Sequence, residues 1–142
     1  MKILLTVSLT DFVLFFVCCT VFITGCNKND PVIPVSGKVT LQGKPIADCS
    51  VTFQPTAKNP IVAASGLTDA EGNFSLETIE SPRRKGAAVG EYQVKFFWRD
   101  PAFDETNPKP APYQIPAKYQ QEGITFTVPN GGKTDAVFDL VP

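Results

Sequence analysis

The residues that could do chemistry in this chain are few, and histidine is absent from all 142 positions. Its absence excludes Ser-His-Asp and Cys-His nucleophile systems and metal sites that use imidazole ligands. Four carboxylates on turns could pair as general acid and base, but their spacing matches no recognisable pattern: Asp69, Glu71, Asp104 and Glu105. We therefore expect a protein that is not an enzyme, with no catalytic residue, no cofactor and no metal site.

Cys26 lies at the boundary between an apolar run and a polar segment. Met1 and Lys2 give a positive start, the apolar run extends from about Ile3 to Ile23, and the letters ITGC end at Cys26. Small residues at the end of an apolar run are typical of a signal peptide. The pattern resembles a bacterial lipobox, in which the cysteine is lipidated and becomes the first residue of the mature protein. An uncleaved anchor and an ordinary secretory signal are the alternatives.

The other cysteines agree with this interpretation. Cys18 and Cys19 lie in the segment that would be removed, so only Cys49 remains beside the lipidated Cys26. A single thiol cannot form an internal disulfide. Cys49 alternates with polar residues on the apolar face of a predicted strand, where we expect it to be a small buried hydrophobic residue rather than a nucleophile.

The stretch from Val35 to Pro55 predicts two strands joined by a Gly/Pro turn. Apolar and polar residues alternate with a period of two in VSGKVTL and again in CSVTFQ, which indicates strands buried on one face. Between them, Gln42-Gly43-Lys44-Pro45 can reverse the chain, because glycine accepts positive φ and proline fixes φ. We expect this hairpin to be the template for the remaining strands.

Further alternating runs lie near residues 61–68, 74–78, 91–99, 124–128 and 136–140, and no segment has a helical period. The acidic segment Asp69 to Asn73 fits a plain turn better than a calcium loop, because Gly72 is at the wrong position for an EF-hand. The fold class predicted is all-β, a single antiparallel β-sandwich of about seven strands. Its expected core comprises Val39, Val51, Phe53, Phe74, Val94, Phe96, Phe126 and Phe138.

The segment from Asp100 to Pro116 contains five prolines and predicts a long extended loop. Long loops often carry function, so Phe103 and Tyr113 on it, and Tyr119 just after it, are candidate partner-binding residues. In the strongest strand, residues 91–99, we expect the alternating aromatics to lie in the core: Tyr92, Phe96 and Trp98. Phe97 falls among the polar positions of that strand, where an isolated exposed aromatic is common.

Several motifs together resemble carboxypeptidase regulatory-like domain lipoproteins of bacteria. They are VxGxVxLxGKPIA from Val35, VTFxP from Val51, SGxTDxxGxF from Ser65, GxYxV from Gly90, PxKY from Pro116 and FDL from Phe138. The resemblance implies a transthyretin-like (prealbumin-like) sandwich that is non-catalytic. The family often has a Thr-Ser pair where this chain has Glu122-Gly123.

These observations predict three regions: a lipoprotein signal peptide at 1–25, a lipidated tether at 26–34 and a sandwich domain at 35–142. We expect a membrane-anchored lipoprotein of the bacterial cell envelope, in the outer membrane or facing the periplasm, with a structural, adhesion or assembly role. Its partners would be the membrane, through Cys26, and an unknown envelope protein or glycan. The net charge of −1 argues against a nucleic-acid partner. The alternative is a module that binds saccharide or peptide, with Trp98, Phe103, Tyr113 or Tyr119 as stacking groups.

Overall fold

A computed structural model describes residues 31–56 and 62–142. The predicted signal peptide, Cys26 and the first part of the predicted tether lie outside these residues. Within them the chain forms strands and one short helix, so the all-β prediction is confirmed. The elements are β1 Val32–Ile33, β2 Val35–Leu41, β3 Lys44–Pro45, β4 Cys49–Pro55, β5 Ala64–Leu67, β6 Asn73–Ser75, β7 Glu77–Thr78, β8 Ala87–Ala88, β9 Gly90–Trp98, α1 Ala117–Gln121, β10 Ile124–Val128 and β11 Lys133–Leu140.

The strands form two main sheets and one small one. The larger has five strands in the order β10-β9-β4-β5-β7, and the second has β11-β2-β3 with β6 also paired to β2. β1 and β8 form a two-stranded sheet, so Val32 and Ile33 of the predicted tether pair with Ala88 and Ala87. No helix in the described part of the chain has the length and apolar character needed to cross a membrane.

Both strands of the predicted opening hairpin form where expected, but they do not pair with each other, so the predicted hairpin is wrong. Strand β2 lies in the four-stranded sheet and β4 in the five-stranded sheet. Gln42 and Gly43, with φ of 52° and 75°, make a two-residue turn with both central residues in the left-handed region, and the chain returns only as the short β3. Because Pro45 has no N–H to extend the ladder, the chain then leaves this sheet for the other.

The second turn is a plain turn, as predicted, but it also connects different sheets. The Asp69 carboxylate accepts the backbone N–H groups of Glu71 at 3.0 Å and Asn73 at 2.8 Å. The chain then continues from β5 into β6, which pairs with β2 of the other sheet. Gly66 permits this close crossing, since a Cβ there would lie 2.5 Å from the Ser75 carbonyl oxygen.

Strands β2 and β11 run parallel, which differs from the predicted antiparallel arrangement. Ala136 lies opposite Gly37, and Phe138 lies opposite Val39. The other strand pairs among the described residues are antiparallel. A period of two shows which side chains share a face but contains nothing about strand direction, so the sequence pattern could not reveal this pair.

Aromatic rings from both sheets meet in one core. Phe53 of β4 lies 5.5 Å from Tyr92 and 6.3 Å from Phe138 of the other sheet, measured between ring centroids. Phe96 and Phe138 are 5.3 Å apart. The predicted core residues are buried apart from Phe126 and Trp98. Phe126 is partly buried and packs against the cluster, whereas Trp98 is half-buried at the end of β9 and outside the cluster, so its prediction as a core residue was wrong. The alternation in the sequence predicted the remaining core residues correctly.

Residues 100–116 form neither strand nor helix, as their prolines indicated. Helix α1 follows directly and was not predicted. It has five residues and begins after Pro116, so it is too short to produce a recognisable helical period. The helix places Tyr119 in the core, next to Phe96.

Candidate functional site

An open cleft lies at the end of β9, and we call it the aromatic cleft. Its volume is about 450 Å³, within the usual range for ligand sites. It is lined by residues of β9, of the proline-rich segment and of α1: Phe97, Trp98, Ala111, Tyr113, Gln114, Ile115 and Gln120. The predicted sandwich gave no sign of a cavity at this position.

The cleft forms because the two neighbours of β9 differ in length. Strand β4 follows β9 to its end, where Cys49 lies opposite Trp98, whereas β10 pairs with β9 only as far as Val94. Helix α1 contacts β9 instead, and Gly123 allows the chain to pass close to the Val94 carbonyl oxygen. The space beside the last residues of β9 is therefore bounded by side chains rather than filled by a strand.

Tyr113 is held in place by its hydroxyl group. The hydroxyl donates a hydrogen bond to the Ala47 carbonyl oxygen at 2.5 Å, and the ring packs against the core. Burial, helped by the charge of Asp48 and the thiol of Cys49, raises the pKa of Tyr113 above its ordinary value, so the phenol stays neutral. Its ring is therefore a fixed, uncharged wall of the cleft.

Phe97 and Trp98 both line the cleft, although their side chains leave β9 on opposite faces. Trp98 is half-buried at the end of the row that begins with Tyr92 and Phe96, and those two are fully buried as predicted. Phe97 lies on the outer face of the sheet with 39% of its surface exposed. The sequence showed Phe97 as an exception to the alternation, but only the fold brings Tyr113 to the same cleft as Phe97 and Trp98.

Two carboxamide side chains supply the polar part of the lining. Gln120 donates from Nε2 to the Ile115 carbonyl oxygen at 2.7 Å, which fixes the amide and leaves Oε1 as an acceptor. Gln114 is exposed and makes no hydrogen bond within the described residues. Neither glutamine was a candidate from the sequence, because an isolated glutamine gives no signal without its neighbours in space.

The predicted partner-binding residues have three different environments. Phe103 is 69% exposed on the proline-rich segment but does not line the cleft. Tyr113 does line it. Tyr119 is buried, its hydroxyl accepts the Val141 N–H at 3.1 Å, and its ring lies 6.3 Å from Phe96. The structure thus brings Tyr113 together with Trp98, while Tyr119 is part of the core.

The carboxylates considered for acid–base chemistry stabilise their own turns. Hydrogen bonds from Asn73, with smaller help from Glu71, lower the pKa of Asp69, and those from Thr106 lower the pKa of Asp104. A general acid needs the opposite shift. Among the described residues, no group of three or more cysteine or acidic side chains could hold a metal ion.

Cys49 is fully buried, as the sequence predicted. Burial raises the pKa of its thiol from 9.0 to about 12, only partly offset by a backbone hydrogen bond from Phe97. The thiol is therefore protonated at neutral pH, and the thiolate needed for nucleophilic attack is absent.

A second groove, of about 240 Å³, has charged residues in its lining, whereas the described lining of the aromatic cleft has none. It is lined by Ser50, Ser65, Gly66, Leu67, Ser75, Glu77, Arg83 and Arg99. Its three ionisable side chains and three hydroxyl groups make it a polar surface groove with no aromatic ring. The aromatic cleft differs from this groove, because among the described residues its lining has three aromatic rings and no charged side chain.

Comparison with known proteins gives no further identification. No protein-family model matches the chain. No curated protein matches it. No solved structure matches it.

Proposed function

We propose that this chain is a lipid-anchored, non-catalytic β-sandwich protein of the bacterial cell envelope, and that it contacts an envelope partner through the aromatic cleft. Cys26 would carry the lipid, and the domain would have a transthyretin-like arrangement of its two sheets. A protein of this kind would act in adhesion or assembly by binding its envelope partner. The observation that carries the proposal is the position of the cleft, at the opposite end of β9 from the point where the described chain begins.

Strand β9 connects these two ends. The described chain begins at Pro31, and Val32 pairs with Ala88, just before β9 starts at Gly90. The cleft lies at the other end of β9, beside Trp98. Nine residues of strand span roughly 26 Å at about 3.3 Å per step. A lipid on Cys26, a few residues before Pro31, would therefore hold the cleft away from the bilayer.

The packing of the two sheets supports the sandwich part of the proposal. Side chains of β4 and β9 contact those of β11 across a shared aromatic core, as in the Phe53–Phe138 and Phe96–Phe138 pairs. The non-catalytic part is supported by the lowered pKa of Asp69 and Asp104 and by the protonated thiol of Cys49.

The anchor is tested by metabolic labelling with a fatty acid. We expect wild type and Cys19→Ser to be labelled equally, and Cys26→Ser to be unlabelled and released from the membrane fraction. Stable anchoring needs more than one acyl chain, which lipoprotein modification supplies. Label retained by Cys26→Ser would refute lipidation at this residue.

The orientation is tested by tryptophan quenching, because Trp98 is the only tryptophan of the chain. In vesicles that contain brominated lipids, Trp98 emission of the lipidated protein should be nearly unquenched. The matched control carries Trp98→Phe together with Glu91→Trp, at an exposed position near the start of β9. This control should be quenched more strongly. Equal quenching of the two proteins would contradict the proposed orientation.

A further inference from the structure

The aromatic cleft is lined by three aromatic rings at two levels of exposure. Phe97 is open to solvent, and the half-buried Trp98 and Tyr113 form a more enclosed wall. Such surfaces favour a ligand with flat apolar patches, which can stack on the rings and lose water. Rings held on a strand, or by a hydroxyl hydrogen bond as in Tyr113, lose little conformational freedom when they bind.

The polar groups of the cleft restrict the class of possible ligands further. A carboxamide offers both a donor and an acceptor, so it can pair with a hydroxyl group in either role. Gln114 is unpaired within the described residues, and Gln120 has Oε1 available. One unpaired amide, Gln114, and one fixed amide acceptor, Gln120 Oε1, beside three rings fit a molecule that combines several hydroxyl groups with apolar C–H faces.

The lining and the position of the cleft argue against other classes of ligand. Among the described residues, no charged side chain lines the aromatic cleft. An anionic ligand would leave water without a compensating cation, which costs free energy. A peptide strand is disfavoured as the ligand, because helix α1 contacts β9 and its Gln120 lines the cleft. The distance from the anchor argues against a membrane lipid.

We propose that the ligand of the aromatic cleft is an uncharged saccharide, an inference that rests on the proposed function of the cleft as the contact site. Phe97 and Trp98 would stack against C–H faces of the sugar. Gln114 and Gln120 would pair with its hydroxyl groups. Tyr113 would position the ligand through its ring alone, since its hydroxyl is already bonded to Ala47.

The test is a fluorescence titration of the full-length lipidated protein in detergent. Neutral oligosaccharides of glucose, galactose, mannose, xylose and N-acetylglucosamine are added separately, and Trp98 emission reports the occupancy of the cleft directly. We expect a saturable change with at least one of them. Phe97→Ala should weaken that binding roughly tenfold, which corresponds to loss of one stacking ring. Gln114→Ala should also weaken it.

The matched control is Phe103→Ala, which removes an exposed phenylalanine outside the cleft and should leave the affinity unchanged. A carboxylated or sulfated form of the same oligosaccharide should bind more weakly. The inference is overturned if no neutral oligosaccharide alters Trp98 emission, or if Phe97→Ala and Phe103→Ala behave alike. If the sugars fail while a photo-cross-linker at position 97 still captures an envelope component, the ligand class is wrong and the contact site stands. If both fail, the proposed function fails too.

Discussion

Truncation of Phe53 to alanine should remove a central contact between the two sheets. The ring is fully buried and lies 5.5 Å from Tyr92, 5.6 Å from Phe126 and 6.3 Å from Phe138. Three of its neighbours are therefore aromatic, and one belongs to the opposite sheet. No small movement of a single side chain can fill the space that the ring would leave.

The expected loss follows from burial and ring contacts together. Phenylalanine-to-alanine changes in cores cost about 3–5 kcal/mol, and aromatic pairs contribute about 0.5–1.5 kcal/mol beyond area. We expect a loss of about 4 kcal/mol for Phe53→Ala. Small domains have a free energy of unfolding of about 5–15 kcal/mol, so the variant would be close to unfolding.

Urea denaturation of purified protein measures this loss. With a slope of about 2 kcal/mol per molar urea, the midpoint should fall by about 2 M. Phe103→Ala, at a largely exposed ring, should change stability by less than about 0.5 kcal/mol. A loss below about 1 kcal/mol for Phe53→Ala would show that the assignment of facing residues is wrong.

Two further predictions concern Cys49 and Gly37. The folded thiol of Cys49 has a pKa near 12 and an ordinary value of 9.0, so between these pH values the unfolded chain loses a proton that the folded chain keeps. Stability should fall as pH rises, by about 2 kcal/mol at pH 10.5. Cys49→Ala, assayed by urea denaturation across pH, should show a smaller fall, and equal slopes would contradict burial of the thiol. Gly37→Ala places a Cβ 2.0 Å from the Ala136 carbonyl oxygen, so it should separate β11 from β2 and lower the melting temperature. Gly131→Ala is the open-space comparison, because no atom lies within 4 Å of a Cβ built there, and equal losses would contradict the close β2–β11 approach.

The sequence predicts the core well because alternation records which side chains face inward. Val51 and Phe53, like Val94 and Phe96, are buried as the period of two required. Turn chemistry was equally informative, since Asp69 and Gly72 make the turn that their types indicate. These signals are local, and each depends on residues within a few positions of one another.

Pairing and the candidate site depend on contacts that are distant in sequence. Nothing local shows that β2 and β4 belong to different sheets, or that β11 runs parallel to β2. Tyr119 was a binding candidate because its short helix produces no helical period in the sequence. In the structure the helix directs the Tyr119 side chain into the core. Phe97 acquires neighbours only when residues 111–120 fold against the end of β9.

The most direct test of the contact site is photo-cross-linking in intact cells. A benzophenone amino acid is placed at position 97 in the cleft or at position 103 on the exposed segment. Phe97 and Phe103 are both exposed phenylalanines, so the two probes are chemically matched and differ in location. We expect position 97 to give a distinct cross-linked envelope component and position 103 to give much less. Equal products at the two positions, or none at position 97, would contradict a contact site in the aromatic cleft.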